Sequence, residues 1–242
     1  MFTRIVKAEV KIPVSTAYID QFLKMKCFLD VLPFFKPTNL TCKEISESMG
    51  AFSAVKKQLG EDQLRNRNVC CLIIGDGNLP RTGSLFAHRS NWIVNSIDPA
   101  LKIGEKENFK AERLYWVPYK VEEIAASCIY DRTHMQWNAG ATNGVINFFG
   151  IPDTVVVVAV HSHAALTEAC KLIMPKKRLV VVAMPCCKKQ EIVWHSDKSR
   201  AINPSKEYQD DRILSQQNMI KIWDFDNDSV IGKVAFDLIY GE

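Results

Sequence analysis

Two groups of residues in the sequence have the types and spacing that ligand binding and proton transfer require. The first is the turn Gly75, Asp76, Gly77 and Asn78. Glycine lets the backbone turn sharply and lets a ligand approach the main chain. Asp98 follows about 20 residues after the turn, the offset at which nucleotide-binding α/β units place a carboxylate on the ribose hydroxyls. These residues predict a site for an adenosine-containing ligand, with an ordinary Asp-Gly turn between two buried strands as the alternative.

The second group consists of His161 and His163 with the adjacent pair Cys186 and Cys187. A histidine can take a proton from an attacking hydroxyl or amine near neutral pH, which makes His161 and His163 the catalytic candidates. Two histidines and two cysteines also match a zinc site in number. Adjacent cysteines tend to point to opposite faces and lack Cys-x-x-Cys spacing, so we predict no metal. A structural role, with hydrogen-bonded histidines over packed thiols, is the remaining alternative.

Three elements must position the glycine turn. The apolar run Val69–Ile74 predicts a strand buried on both faces, and Trp92–Ile97 predicts a second strand that ends at Asp98. Between them, Thr82–Arg89 predicts a helix with Thr82 or Ser84 at its N-cap. The unpaired N–H groups at the start of this helix are expected to face the ligand.

This strand, turn, helix and strand resemble the first motif of class I S-adenosylmethionine-dependent methyltransferases. Gly75–Asn78 match the family's Gly-x-Gly turn, and Asp98 matches its ribose-binding acid. Leu79 stands where the family has a third glycine, and Pro80–Gly83 look inserted. The Gly-Asp-Gly-Asn-Leu sequence is also similar to the turn of a family of ribosomal RNA uridine methyltransferases. A dinucleotide-dependent dehydrogenase would have a glycine in place of the proline at position 80, so that class is less favoured.

The rest of the chain continues the alternation of strands and helices. The predicted fold is α/β, a doubly wound, Rossmann-like, mostly parallel sheet with a C-terminal antiparallel hairpin and an N-terminal helical extension. In this fold the segment that begins at Pro118 contacts the adenine, so Pro118 is a further cofactor-binding candidate. The predicted strands are Leu114–Val117, Thr154–Val160, Arg178–Met184 and the hairpin pair Met219–Phe225 and Val230–Ile239, and the predicted helices are Val121–Ile129, Ala164–Ile173 and Ser205–Gln216.

Residues 1–68 are predicted to form the helical extension, and residues 69–242 the cofactor-binding domain. Apolar spacing predicts one helix over Ser15–Leu32 and a second that starts at Thr41, where Glu44 completes a capping-box pattern. The extension has 11 Lys and Arg residues against 7 Asp and Glu residues, and the remainder is balanced. This excess of positive charge is compatible with a polyanion, and the helices offer a surface for a protein partner.

Composition limits the class of protein. Hydrophobic residues make up 47% of the chain and charged residues 24%, as is usual for a globular protein. No apolar run approaches the roughly 18 residues that a membrane span needs, and the N-terminus lacks a secretory signal pattern. The eight cysteines lie mostly within apolar patterns, which predicts thiols in a reducing, cytoplasmic compartment, with an organellar location as the alternative.

The resemblance implies an S-adenosylmethionine-dependent methyltransferase. An RNA substrate is favoured over a small molecule or a protein. The candidate substrate loop is residues 132–144, within the irregular stretch 131–152. The alternative from another class is a catalytically inactive methyltransferase-like scaffold in a ribonucleoprotein or larger complex. A third hypothesis is another nucleotide-using enzyme on a Rossmann-like sheet.

Overall fold

The computed structural model describes residues 15–35, 40–109, 111–131, 136–139, 146, 148, 150–186, 190–193, 201–227 and 239. Seven of the described strands form one sheet, and two further pairs form small antiparallel sheets. In chain order the strands are β1 Val69–Ile74, β2 Ile93–Ile97, β3 Leu114–Val117, β4 Cys128–Asp131, β5 Gln136–Ala139, β6 Thr154–Val160, β7 Arg178–Met184, β8 Ile192–Val193, β9 Ala201–Ile202, β10 Lys206–Gln209 and β11 Met219–Asp226.

The large sheet has the strand order β10-β11-β7-β6-β1-β2-β3. Strands β3, β2, β1, β6 and β7 run parallel, whereas β11 is antiparallel to both β7 and β10. This is the predicted doubly wound sheet, with two antiparallel strands from the C-terminal part of the chain, β10 and β11, added next to β7. Because parallel strands end at the same edge, the residues after β1, β2, β6 and β7 meet there.

The described α-helices cover both faces of the sheet. Val121 and Leu166, from α5 and α6, pack with Leu72 on one face, and helices α1, α3 and α4 pack on the other. On that second face, residues of the N-terminal extension and of the sheet share one apolar cluster, to which Phe22 and Val55 both belong. The helices are α1 Ala17–Leu23, α2 Phe28–Val31, α3 Thr41–Leu59, α4 Arg81–Arg89, α5 Val121–Ser127 and α6 Leu166–Lys171.

The extension differs from its prediction in two places. The expected single helix over Ser15–Leu32 is broken after Leu23, since Phe28 folds back to pack edge-on against Phe22 with the ring centroids 5.7 Å apart. The prediction of a capping box that starts at Thr41 is also wrong. Helix α3 begins at Thr41 itself with Leu40 at the N-cap position, so Thr41 lies inside the helix.

The predicted helix over Ser205–Gln216 is wrong as well. Lys206–Gln209 forms β10 at the edge of the sheet, where Tyr208 pairs with Ile220. Backbone pairing to the exposed edge of β11 outweighs the helical spacing of this short segment. The antiparallel hairpin therefore uses β10 and β11. The predicted second strand Val230–Ile239 lies, apart from Ile239, outside the described residues, as does most of the candidate substrate loop.

The described residues have no disulfide. Cys70, Cys71 and Cys170 are fully buried, as their apolar surroundings in the sequence predict, and burial raises the pKa of the Cys70 thiol to about 12. Within the described part of the chain, no helix has both the length and the apolar character needed to cross a membrane.

Candidate functional site

The glycine turn follows β1 directly and lies against the end of β6. Gly75 has φ +75° and Gly77 has φ +78°, a region that side chains other than glycine rarely adopt. A Cβ on Gly75 would also lie 2.6 Å from Oγ of Ser162. Glycine is therefore required at position 75 both for the turn and for the close approach of the two strand ends.

Asp76 caps helix α4 through its carboxylate. Its two carboxylate oxygens accept hydrogen bonds from the backbone N–H of Thr82 and of Gly83, both at 2.8 Å, and Ser96 Oγ donates a third at 2.9 Å. The expectation that these N–H groups face the ligand is wrong, because Asp76 already satisfies them. Neither Thr82 nor Ser84 is the N-cap, since helix α4 begins at Arg81.

The carboxyl of Asp76 is almost completely buried. Burial raises the pKa of this carboxyl, although the hydrogen bonds from Gly83, Thr82 and Ser96 oppose the effect. A buried carboxylate with three donors holds the turn, the helix and β2 together. Asp76 therefore shapes the site through these hydrogen bonds.

Gly83 takes the part of the third glycine that the sequence lacks at position 79. A Cβ on Gly83 would lie 2.9 Å from a methyl carbon of Leu114 and 3.1 Å from Cβ of Ser96. Glycine here lets helix α4 pack closely on β2 and β3, which is the packing role of the third glycine in nucleotide-binding turns. The sequence does contain this glycine, but four residues after the position at which the motif has it.

Asp98 lies at the end of β2 and is partly exposed. Its Oδ2 accepts a hydrogen bond from the backbone N–H of Gly77 at 2.9 Å, and its Oδ1 accepts one from Ala100 at 2.7 Å. A carboxylate has about four lone-pair sites, so each oxygen can accept a second hydrogen bond. Asp98 thus fixes the glycine turn and still has acceptor capacity for a ligand.

A cavity of about 420 Å³, the main cavity, opens at this edge of the sheet. It brings together Asp98, Gly75, His161 and His163 from the ends of β2, β1 and β6. Pro118 does not line it, whereas the three residues that follow Pro118 do. The lining residues are Ile74, Gly75, Ile97, Asp98, Pro99, Tyr119, Lys120, Val121, Glu122, His161, Ser162, His163 and Ala164.

A second cavity of about 260 Å³ lies on the other side of the glycine turn, against helix α3. Gly75 and His161 line both cavities, whereas Asn78 lines neither. The Asn78 side chain instead accepts a hydrogen bond from Arg81 at 3.3 Å. The second cavity is lined by Leu40, Lys43, Glu44, Glu47, Ser48, Gly75, Asp76, Gly77, Arg81, Thr82, Val160 and His161.

The second cavity has charges of both signs. Glu44 lies 3.3 Å from Arg81, and Lys43 lies 3.5 Å from Glu47. Burial raises the pKa of Glu44, and the positive charge of Arg81 opposes this. Two carboxylates thus face two cations around a polar space, an arrangement that suits a small polar molecule better than an apolar one.

His161 and Glu47 form a pair between the two cavities. Nε2 of His161 lies 2.7 Å from Oε1 of Glu47, and the Glu47 side chain is only 6% exposed. His161 also has φ +50°, a costly backbone conformation for a residue with a side chain. The sequence singled out His161 but not Glu47, because Glu47 lies on a helix whose spacing indicated packing alone.

His163 is exposed at the rim of the main cavity, with its Nε2 atom 3.3 Å from Sγ of Cys186. The structure thus brings the ends of β6 and β7 together as predicted. Cys187 and the lysines at positions 188 and 189 lie outside the described residues. Among the residues that the structure describes, there is no group of three or more histidine, cysteine or carboxylate side chains placed to hold a metal ion.

No protein-family model matches this sequence, and no curated protein matches it. Among solved structures, a mutant of MtNAS is similar over 86% of this chain and 73% of its own, with 12% identity and a TM-score of 0.46. The mutant in complex with S-adenosylmethionine has 13% identity and a TM-score of 0.44 over 88% of this chain and 76% of its own.

The magnesium protoporphyrin IX methyltransferase ChlM from Synechocystis PCC 6803, with bound SAM, is also similar. It has 13% identity and a TM-score of 0.42, over 86% of this chain and 95% of its own. With TM-scores below 0.5, these likenesses carry no argument about this chain. The fold assignment rests on the strand order and on the glycine turn described above.

Proposed function

We propose that this chain is an S-adenosylmethionine-dependent methyltransferase. The observation that carries the proposal is the position of Asp98, which ends β2 at the main cavity and keeps acceptor capacity on both carboxylate oxygens. The cavity volume of about 420 Å³ lies within the range of small-molecule sites. The residues present therefore fit the cofactor that the sequence predicts.

Three parts of the main cavity would hold the cofactor. Asp98 would accept hydrogen bonds from the ribose hydroxyls. Tyr119 and Val121 would contact the adenine, the role that the sequence had assigned to Pro118. The main chain of Gly75, which lines both cavities, would lie beside the methionine end. When bound, S-adenosylmethionine supplies a methyl group on a positively charged sulfur.

His161 would act as the proton acceptor, with Glu47 as its partner. The short contact between His161 Nε2 and Glu47 Oε1 lets the pair hold a proton that an attacking hydroxyl or amine gives up. Because Nε2 of His161 is bonded to Glu47, Nδ1 is the ring nitrogen that would accept this proton. His161 is preferred over His163 because His163 lies at the exposed rim, where its neighbour is Cys186.

The acceptor would enter the second cavity, which His161 also lines. The mixed charge and the volume of about 260 Å³ favour a small polar acceptor with a hydroxyl or amine group. An RNA acceptor, as predicted from the sequence, would have to reach this cavity with a single nucleotide. Two carboxylates at the cavity, Glu44 and Glu47, disfavour a phosphate group inside it.

Calorimetry with S-adenosylmethionine tests the proposal. The wild-type chain should bind, and Asp98→Ala should weaken binding by tenfold or more, since about 1.5–3 kcal/mol is typical for a hydrogen bond to a charged group. Tyr119→Ala, which removes a half-exposed side chain and leaves the turn intact, should also weaken binding. Glu112→Ala is the control, because Glu112 is exposed and lines neither cavity.

The outcomes separate the hypotheses. If the wild-type chain does not bind S-adenosylmethionine, the proposal is wrong. Binding without turnover on any hydroxyl, amine or RNA acceptor would favour the inactive scaffold. Binding of a different adenine nucleotide in the same cavity, again weakened by Asp98→Ala, would favour another nucleotide-using enzyme.

A further inference from the structure

A third cavity, of about 280 Å³, lies at the opposite edge of the sheet, where β1, β2 and β3 begin. We call it the arginine cavity, after Arg65, Arg89 and Arg113, which line it together with His88 and Glu61. These residues come from the segment before β1, the end of helix α4 and the segment before β3. Chain segments that are distant in sequence therefore bring three guanidinium groups to one space.

The arginine cavity is separate from the candidate cofactor site. Strand β1 runs from this edge to the glycine turn in six residues, which is about 20 Å at the usual rise per residue. No residue lines both the arginine cavity and either of the other two cavities. In parallel sheets the usual ligand sites lie at the C-terminal edge, so the fold does not account for a polar cavity here.

The charge around the cavity is positive. Among the residues that the structure describes, Glu61 is the one carboxylate that lines it, and this carboxylate is bound to Lys56 at 2.8 Å. Lys56 holds the pKa of Glu61 below its usual value, and Arg65 and Arg89 add to the effect. An anion that enters the cavity would therefore meet three arginines and a carboxylate that already has a cation.

Two of the guanidinium groups are held in place by the fold. The Arg89 guanidinium lies 5.2 Å over the centre of the Phe52 ring. Arg113 donates from Nη2 to the carbonyls of Ala87 and Ser90, both at 3.1 Å. Ordered arginines lose less conformational entropy when they bind, and their planar fork matches the oxygens of a phosphate group.

The end of helix α4 is the feature that opposes an anion at this place. The last carbonyls of a helix form the negative end of its dipole. Here, however, the bonds from Arg113 to Ala87 and Ser90 satisfy these carbonyls with a positive charge. His88 Nδ1 lies 2.8 Å from the carbonyl of Ser84, one turn back along the helix.

We propose that the arginine cavity binds a phosphate group. Three guanidinium groups around one space match the charge and the oxygens of a phosphate group. The phosphate belongs either to a nucleic-acid strand that continues over the surface or to a free phosphate compound. This inference does not depend on the proposed methyltransferase activity.

The test compares two probes on the full chain. Inorganic phosphate is titrated by calorimetry, and a fluorescein-labelled short single-stranded RNA is titrated by anisotropy at several salt concentrations. Arg65→Ala is the main variant, because Arg65 is exposed and its removal leaves the helix contacts of Arg89 and Arg113 intact. It should weaken binding about tenfold. For RNA it should also lower the slope of log affinity against log salt by about 1.

Arg67→Ala is the matched control, since Arg67 is exposed two residues away and does not line the cavity. Thermal unfolding of both variants confirms that they are folded. If phosphate competes with RNA and Arg65→Ala weakens the binding of both, the result supports a phosphate site that accepts either source. Binding of RNA alone identifies a strand, and binding of phosphate alone identifies a free compound. Equal losses in the Arg65 and Arg67 variants, or no binding of either probe, would overturn the proposal.

Discussion

The Nε2 atom of His161 lies 2.7 Å from Oε1 of Glu47, although the two residues are 114 positions apart in the sequence. His161 follows β6, and Glu47 lies on helix α3 of the N-terminal extension. The proposed proton acceptor is therefore completed by a residue that lies outside the region predicted to bind the cofactor. Four predictions follow from this contact and from three others.

Glu47→Gln should lower turnover while leaving the affinity for S-adenosylmethionine unchanged. The amide replaces the hydrogen bond between His161 and a carboxylate with a weaker one to a neutral group, and it leaves the main cavity intact. We expect kcat to fall at least about tenfold, less than the roughly 10²–10⁴-fold of a whole general base because His161 itself remains. The measurement uses an acceptor found by screening hydroxyl and amine compounds.

Glu44→Gln is the matched control for this prediction, because Glu44 lines the same cavity but pairs with Arg81. A pure loss of charge in the cavity would affect both variants alike. Loss of the pair with His161 should lower kcat only in the Glu47 variant. An equal effect of the two substitutions would contradict the role assigned to Glu47.

Asp76→Asn should destabilise the fold. Thr82 N–H and Gly83 N–H donate to different carboxylate oxygens of Asp76, so in Asn one of these N–H groups would face the NH2 group, a donor, instead of an acceptor. We expect the free energy of unfolding in urea to fall by about 1–3 kcal/mol. Asp153→Asn, at a partly exposed carboxylate near Lys177, is the control and should have little effect. Unchanged stability of the Asp76 variant would mean that the cap is dispensable.

Gly75→Ala should cost more stability than Gly60→Ala. Both glycines have a positive φ, but a Cβ on Gly60 has nothing within 4 Å, whereas a Cβ on Gly75 meets Ser162 at 2.6 Å. Gly60→Ala therefore has only a backbone cost of about 1–3 kcal/mol, and Gly75→Ala adds overpacking of about 1–3 kcal/mol to its own backbone cost. Urea unfolding measures both. Equal losses would show that the end of β6 moves aside without cost.

Asp210 should make stability depend on pH below pH 5. Burial raises its pKa, but hydrogen bonds from Arg212 and from Tyr18, the latter at 2.6 Å, outweigh burial and hold the pKa below its usual value. A lowered carboxyl pKa stabilises the fold above the unfolded-state value of about 3.9. This contribution is lost as the pH falls through the folded-state pKa.

Wild-type protein should thus be more stable than Asp210→Asn by about 1–3 kcal/mol at pH 7, with the difference shrinking as the pH falls from 5 towards 2. Urea unfolding across this range is the measurement. Asp211→Asn is the control, because the neighbouring Asp211 is exposed. A constant difference between wild type and Asp210→Asn would show that charge on Asp210 does not contribute.

Much of the sheet could be predicted from the sequence. Val69–Ile74, Leu114–Val117, Thr154–Val160 and Arg178–Met184 were predicted to the residue, because each is a short apolar run and is largely buried within the sheet. Edge elements were harder to predict. Lys206–Gln209 has no apolar run. The strand there forms because it pairs with the outer edge of β11, which the residue spacing within this segment does not reveal.

By itself, the sequence determined the order of the buried strands and the place of Asp98 at the end of the second, since hydrophobic periodicity and glycine content act locally. Only the tertiary structure decided that Asp76 caps helix α4, that Gly83 is the close-packing glycine and that Glu47 meets His161. Each of these depends on distances between residues that are far apart in the sequence or that a loop brings together. Such distances are set by the packing of helices on the sheet, which no local pattern encodes.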